Sequence, residues 1–198
     1  MSHRLFVALQ PPPPVLAALT GCMGGVEGAH WQTAAQLHLT LAFLGHLDRH
    51  GAEAVAEALD GLRHPAVEVE LLTFGTFDSG RFGRIGSLWV GAGPAAGLTS
   101  LATRVRQLCR RAGAPVEARR FLPHITLARF ARHGAPPVAL QRFLQATPPP
   151  VARWTADEAM LFESRLGSGG AHYEPVGRFP FAADRWRDAR RPGLVRRA

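Results

Sequence analysis

The feature that most constrains this chain is a five-residue phrase used twice. His38-Leu39-Thr40-Leu41-Ala42 and His124-Ile125-Thr126-Leu127-Ala128 each read His, apolar, Thr, Leu, Ala. On a β-strand successive side chains point to opposite faces, so His38 and Thr40 share one face while Leu37, Leu39, Leu41 and Phe43 fill the other. The second copy sets His124 and Thr126 against Ile125 and Leu127 in the same way. Each strand thus carries a polar pair over an apolar floor. The copies stand half a chain apart, which predicts two similar lobes whose motif strands meet, with two imidazoles and two hydroxyls lining one cleft. By the same parity Arg129 falls on the face opposite His124, as a surface or inter-strand partner.

The segments around the motifs supply the lobes. Apolar and alternating runs predict strands over residues 4–9, 67–77, 86–90, 156–163 and 173–181, with the motif strands at 36–44 and 121–130. Helices are expected over 14–22, 48–62, 98–112 and 136–144; in the second of these Ala52, Val55, Ala56, Leu59 and Leu62 recur at the spacing of an amphipathic helix. Residues 164–170 read as a Gly-rich loop, and 78–84 as a flexible basic hairpin end. Both halves run motif strand, helix, hairpin, an order that argues for α+β with antiparallel sheets rather than a doubly wound parallel sheet. Residues 1–184 are expected to form one bilobal domain, and 185–198, with Arg185, Arg187, Arg190, Arg191, Arg196 and Arg197, a disordered tail.

Composition narrows the partners. The formal charge is +8 and the chain has no lysine, so every side chain with a permanent positive charge is an arginine, whose planar fork suits phosphate oxygens. Cys22 and Cys109 stand far apart in no metal-ligand spacing, which argues against a disulfide framework or a zinc site. No apolar run approaches the length of a membrane span, and prolines at 11–14 interrupt the N-terminal run too early for a secretory signal. The expectation is a cytoplasmic monomer without membrane attachment.

Two imidazoles facing each other can divide acid and base work near neutral pH, because histidine titrates near pH 6.5. Each threonine, two residues on, offers a hydroxyl to a nonbridging oxygen without adding charge. Such a set fits in-line displacement at a phosphodiester. A metal centre fits less well: His-x-Thr lacks the second strong ligand of His-x-His, and neither motif holds an acidic residue. Phe6, Phe43 and Trp31 are candidates to stack on a base, although a core role suits each better and parity turns Phe43 away. The remaining histidines, His30 among them, default to surface roles.

At these residues the chain resembles the 2H phosphoesterase superfamily, marked by two His-x-(Thr/Ser)-x motifs, and within it the RNA 2′,3′-cyclic phosphodiesterases, a 2′-5′ RNA ligase-like family. Residues 4–9 look like that family's opening strand, 37–45 its first motif, 123–129 its second and 161–167 its closing segment. The resemblance implies a bilobal, duplicated α+β fold with two antiparallel sheets flanking a central cleft and helices outside. It implies hydrolysis of a terminal 2′,3′-cyclic phosphate on RNA, or of a cyclic nucleotide, to a 2′-phosphate, with no metal or other cofactor. His38 would be the proton donor and His124 the proton acceptor, Thr40 and Thr126 would hold phosphate oxygens, and Arg165 could reach substrate from a cleft-edge loop. Ligation or cleavage of 2′-5′ bonds in the same site is the alternative within this chemistry, and a non-catalytic RNA-binding module the alternative outside it.

Overall fold

The computed structural model describes residues 2–80, 83–131, 134–167 and 170–181. The tail expected at 185–198, like the centre of the basic hairpin end, lies outside the described residues.

The chain runs β1 (His3–Leu9), α1 (Pro13–Gly21), β2 (Ala29–Trp31), a 3-10 turn (Ala34–Gln36), β3 (Leu39–Leu47), α2 (Arg49–Asp60), β4 (Val67–Asp78), β5 (Ile85–Gly93), α3 (Ala95–Arg111), β6 (His124–Phe130), α4 (Val138–Ala146), β7 (Arg153–Ala156), β8 (Glu158–Gly167) and β9 (Gly170–Pro180). Local chemistry sets several boundaries. Prolines open α1, where the missing N–H costs no helical bond. The Asp48 carboxylate accepts the Gly51 N–H at 2.8 Å at the start of α2, a cap worth about 1 kcal/mol. Gly113, at φ +84°, turns the chain out of α3.

The two expected sheets are the wings of one. Strand order is β7-β4-β5-β6-β3-β1-β8-β9, with β2 added beside β6 and the observed ladders antiparallel. The motif strands β3 and β6 sit at the centre and touch through a single pair, Leu39 with Ile125. Beyond it they splay, and β2 takes the place of β3 along the end of β6. Residues read as the 164–170 loop extend the β8–β9 hairpin instead, because cross-strand pairs continue through Ser164–Tyr173 and Arg165–His172.

One face of the sheet is the core. Leu39, Leu41, Ile125 and Leu127 are fully buried there, with Val15 and Leu19 of α1, Val55 and Leu59 of α2, and Leu98, Leu101 and Val105 of α3. Burying each such side chain contributes about 1.5–3 kcal/mol, so the apolar half of each motif anchors the polar half. Trp31 is half-buried and packs against the core, with its ring centroid 5.8 Å from that of Phe143 in α4. No helix among the described residues is long and apolar enough to cross a membrane.

Candidate active site

Because Leu39 and Ile125 pair with their side chains in the core, the flanking residues of both strands point to the other face. The residues that flank this pair, His38 and Thr40 on β3 and His124 and Thr126 on β6, are thereby brought to the same place on that face. The four residues predicted to share a cleft therefore form one patch across the centre of the sheet.

Each histidine is fixed by the carbonyl two residues before it. His38 Nδ1–H donates to the Gln36 carbonyl and His124 Nδ1–H to the Leu122 carbonyl, both at 2.7 Å. A carbonyl has no proton to give, so each ring carries hydrogen on Nδ1 and leaves Nε2 for chemistry. The supports are themselves held. Gln36 Oε1 accepts the Thr33 backbone N–H at 2.8 Å, and Gln36 Nε2 donates to the Ala171 carbonyl of β9. On the other side the Pro123 carbonyl accepts the Ala92 N–H at 3.0 Å.

Two β-bulges change what joins the histidines. In β6, Thr126 pairs with Trp89 and Ala128 with Leu88, leaving Leu127 as the extra residue. In β3, Thr40 pairs with Ala8 and Ala42 with Val7, leaving Leu41 extra. An extra residue reverses the alternation beyond it. Arg129, expected on the opposite face, therefore shares the cleft face with His124 and Thr126, paired with Ser87 on one side and His30 on the other. Phe43 is likewise turned to the cleft face, paired with Phe6 and 46% exposed. Both corrections were legible in principle: Leu41-Ala42 and Leu127-Ala128 each place two apolar residues in succession where a regular strand alternates.

Beside His124 stand Phe77 and Trp89, with ring centroids 4.9 and 5.7 Å from the imidazole, and farther along β6 lies Arg129, paired with Ser87, the buried polar residue among the described residues. Around His38 stand Phe6 and Tyr173, with ring centroids 4.8 and 5.2 Å from the imidazole, and Phe162 at 6.3 Å. Tyr173 escaped sequence reasoning because it reaches the site from the far wing.

Burial sets the protonation of both rings. His38 keeps part of its surface open, yet the aromatic rings displace enough water to push its pKa down to about 4. Its bond to the Gln36 carbonyl opposes this shift, while the charges of Arg129 and His124 add to it. His124 shifts in the same direction, through burial first, against the pull of the Leu122 carbonyl and with help from Arg129. Arg129 thus acts electrostatically on both rings.

Arg165 is not brought to this patch. It lies in β8 two residues from Glu163, whose backbone pairs with Leu5 on the core-facing side, whereas Phe162 pairs with Phe6. Its guanidinium binds Glu163 at 3.0 Å and Glu174 at 3.1 Å. Among the described residues no group of three His, Cys, Asp or Glu side chains is placed to hold a metal ion.

The sequence matches the model of the 2′-5′ RNA ligase superfamily over residues 11–167. It is 32% identical over 190 residues to the RNA 2′,3′-cyclic phosphodiesterase of Escherichia coli K12, covering 89% of this chain and 96% of that protein. It is 33% identical over 93 residues to the RNA 2′,3′-cyclic phosphodiesterase of Aeropyrum pernix, covering 46% and 52% of the two chains. The fold superposes on the crystal structure of E. coli LigT complexed with 3′-AMP with a TM-score of 0.75 at 27% identity, over 91% of this chain and 99% of that one. The crystal structure of TT0787 of Thermus thermophilus gives a TM-score of 0.72 at 26% identity, with the same coverage.

Proposed function

The chain belongs to the 2′-5′ RNA ligase superfamily, and from that premise we propose that it hydrolyses the terminal 2′,3′-cyclic phosphate of RNA to a 2′-phosphate, by metal-independent catalysis between His38 and His124. The observation that carries this reading is the matched tethering of the two imidazoles, each bound through Nδ1 to a backbone carbonyl so that Nε2 is left for the substrate.

In this reading His124 Nε2 takes a proton from water, whose oxygen attacks phosphorus in line with the 3′ oxygen. The new P–O bond forms as the P–O3′ bond breaks, and His38 Nε2–H delivers its proton to the departing 3′ oxygen. Charge accumulating on the nonbridging oxygens is met by the Thr40 and Thr126 hydroxyls and by the Arg129 guanidinium. Acid and base help of this kind contributes about 10²- to 10⁴-fold per group.

Phe43 in one copy and Arg129 in the other separate roles that the repeated motif leaves symmetric. A nucleobase finds partners in Phe43 and Tyr173, which stacks the terminal nucleoside beside His38 and puts the leaving ribose oxygen next to the proton donor. The phosphate charge then meets Arg129. The empty His38 ring is neutral at pH 7, and the incoming anion raises its pKa so that it enters the reaction protonated. A monomer working in the cytoplasm on RNA ends completes the reading, with Cys22 and Cys109 as free thiols.

Product analysis tests it. An oligonucleotide ending in a 2′,3′-cyclic phosphate is expected to give a 2′-monophosphate end, at an unchanged rate in EDTA. A 3′-monophosphate product, or loss of turnover on chelation, overturns the proposal.

A further inference from the structure

The two imidazoles share a form of tether but not its support. His124 lies inside β6, paired with Gly91 across the ladder, and Leu122, whose carbonyl holds the ring, has no polar side chain. His38 stands one residue before β3 begins, and the ladder with β1 ends at Leu39. Its tethering carbonyl therefore belongs to a 3-10 turn outside the sheet, and the Gln36 side chain fastens that turn. Gln36 Oε1 accepts the backbone N–H of Thr33 at 2.8 Å and the Thr33 hydroxyl at 3.2 Å, which closes the turn on itself. Gln36 Nε2–H donates to the Ala171 carbonyl, 135 residues on in β9. Two residues further along that strand Tyr173 stands nearly perpendicular to the His38 ring, with centroids 5.2 Å apart, and 5.0 Å from Phe6.

We propose that Gln36 is a positioning residue that couples base recognition to the alignment of the acid: a nucleobase seated on Tyr173 fixes β9, and β9 fixes, through Gln36, the carbonyl that aims His38. The inference rests on the reading of His38 as the proton donor and of Tyr173 as a wall for the base. The path is continuous. It runs from the base to Tyr173, along β9 to the Ala171 carbonyl, through Gln36 Nε2 to the Gln36 carbonyl, and on to His38 Nδ1. Binding energy gained at the base, remote from the phosphorus, is thereby turned into rate, because displacing a catalytic group by about 1 Å costs about 10²-fold. The tether of His124 is backbone, so its alignment does not depend on the base in this way.

Single-turnover opening of adenosine 2′,3′-cyclic phosphate and of methyl β-D-ribofuranoside 2′,3′-cyclic phosphate by the full chain tests the coupling, since the two substrates share the reacting ring and the second has methoxy in place of adenine. The rate at saturating enzyme reads alignment, and the enzyme concentration that gives half that rate reads binding. In the wild type the base is expected to raise the saturating rate about tenfold as well as to tighten binding. Gln36→Met removes the side-chain bonds, whereas Gln36→Glu keeps an acceptor for the Thr33 N–H and loses the donor to Ala171. In both variants, folded as judged by their unfolding transitions, the rate advantage of the base is expected to fall to within about twofold, with its binding advantage within about twofold of wild type. Taking the ratio of the two substrates cancels the charge that Glu adds near His38. A wild-type rate that ignores the base, variants that slow both substrates alike, or a Gln36→Glu variant that keeps the rate advantage overturns the inference. Wild-type enzyme that opens neither ring overturns the underlying reading, and turnover without the rate advantage overturns only the coupling.

Discussion

Arg129 and Phe43 stand at the same step of the repeated motif, five residues after His124 and His38, and a bulge at the same place in each copy turns both onto the cleft face. The fold thus uses one backbone device twice, once to aim a cation and once to aim an aromatic ring. Both bulge carbonyls are held from outside the ladder: Leu41 O accepts from Arg106 Nε at 3.0 Å and Leu127 O from the Gln32 N–H at 2.8 Å. This asymmetry inside a symmetric frame is what gives the two histidines different surroundings.

Removing the Arg129 charge has two separable effects. Arg129→Ala is expected to lower kcat/KM by about 10²- to 10³-fold through lost stabilisation of phosphate charge. It is also expected to raise the pKa of both His38 and His124, because Arg129 lowers each. Imidazole titration by NMR in the unliganded variant checks the second effect without relying on turnover, and unchanged titrations would remove Arg129 from the site's electrostatics.

Binding of a product phosphate is expected to take up a proton at pH 7. The empty His38 site titrates at about 4, so the ring is neutral, and a bound anion favours the imidazolium. Calorimetry with adenosine 2′-phosphate in two buffers of different ionisation enthalpy reads this directly. Uptake approaching one proton is expected at pH 7 in the wild type, and less in His38→Gln.

Arg106 is expected to matter although it does not face the cleft. Its guanidinium donates to Leu41 O and to Arg119 O at 3.1 Å, and lies 5.4 Å over the Phe121 ring. Arg106→Met keeps much of the stem but orphans the bulge carbonyl, at a cost of about 1–3 kcal/mol in chemical denaturation. If the bulge also positions Thr40 and Phe43, kcat falls as well at temperatures where the variant is fully folded.

Much of this was legible in residue order. The repeated His-x-Thr phrase gave the four cleft residues, since strand alternation and an apolar floor leave them one face to occupy. Helix positions followed from spacing. Parity failed where the backbone stopped alternating, at Leu41-Ala42 and Leu127-Ala128, and that failure misplaced Phe43 and Arg129 together. Arg165 reads as a phosphate ligand until Glu163 and Glu174 are seen to hold it. Tyr173, Trp89 and Phe77 were out of reach, because only the strand order carries them to the histidines.

The central claim is that two imidazoles from opposite halves of the chain act on one phosphorus, and single-turnover opening of a 2′,3′-cyclic phosphate by His38→Ala and His124→Ala tests it most directly. The account predicts that each variant, folded as judged by its unfolding transition, loses at least about 10³-fold in rate, and that the double variant is little worse than either alone. A single variant that keeps its rate within about tenfold of wild type would contradict it.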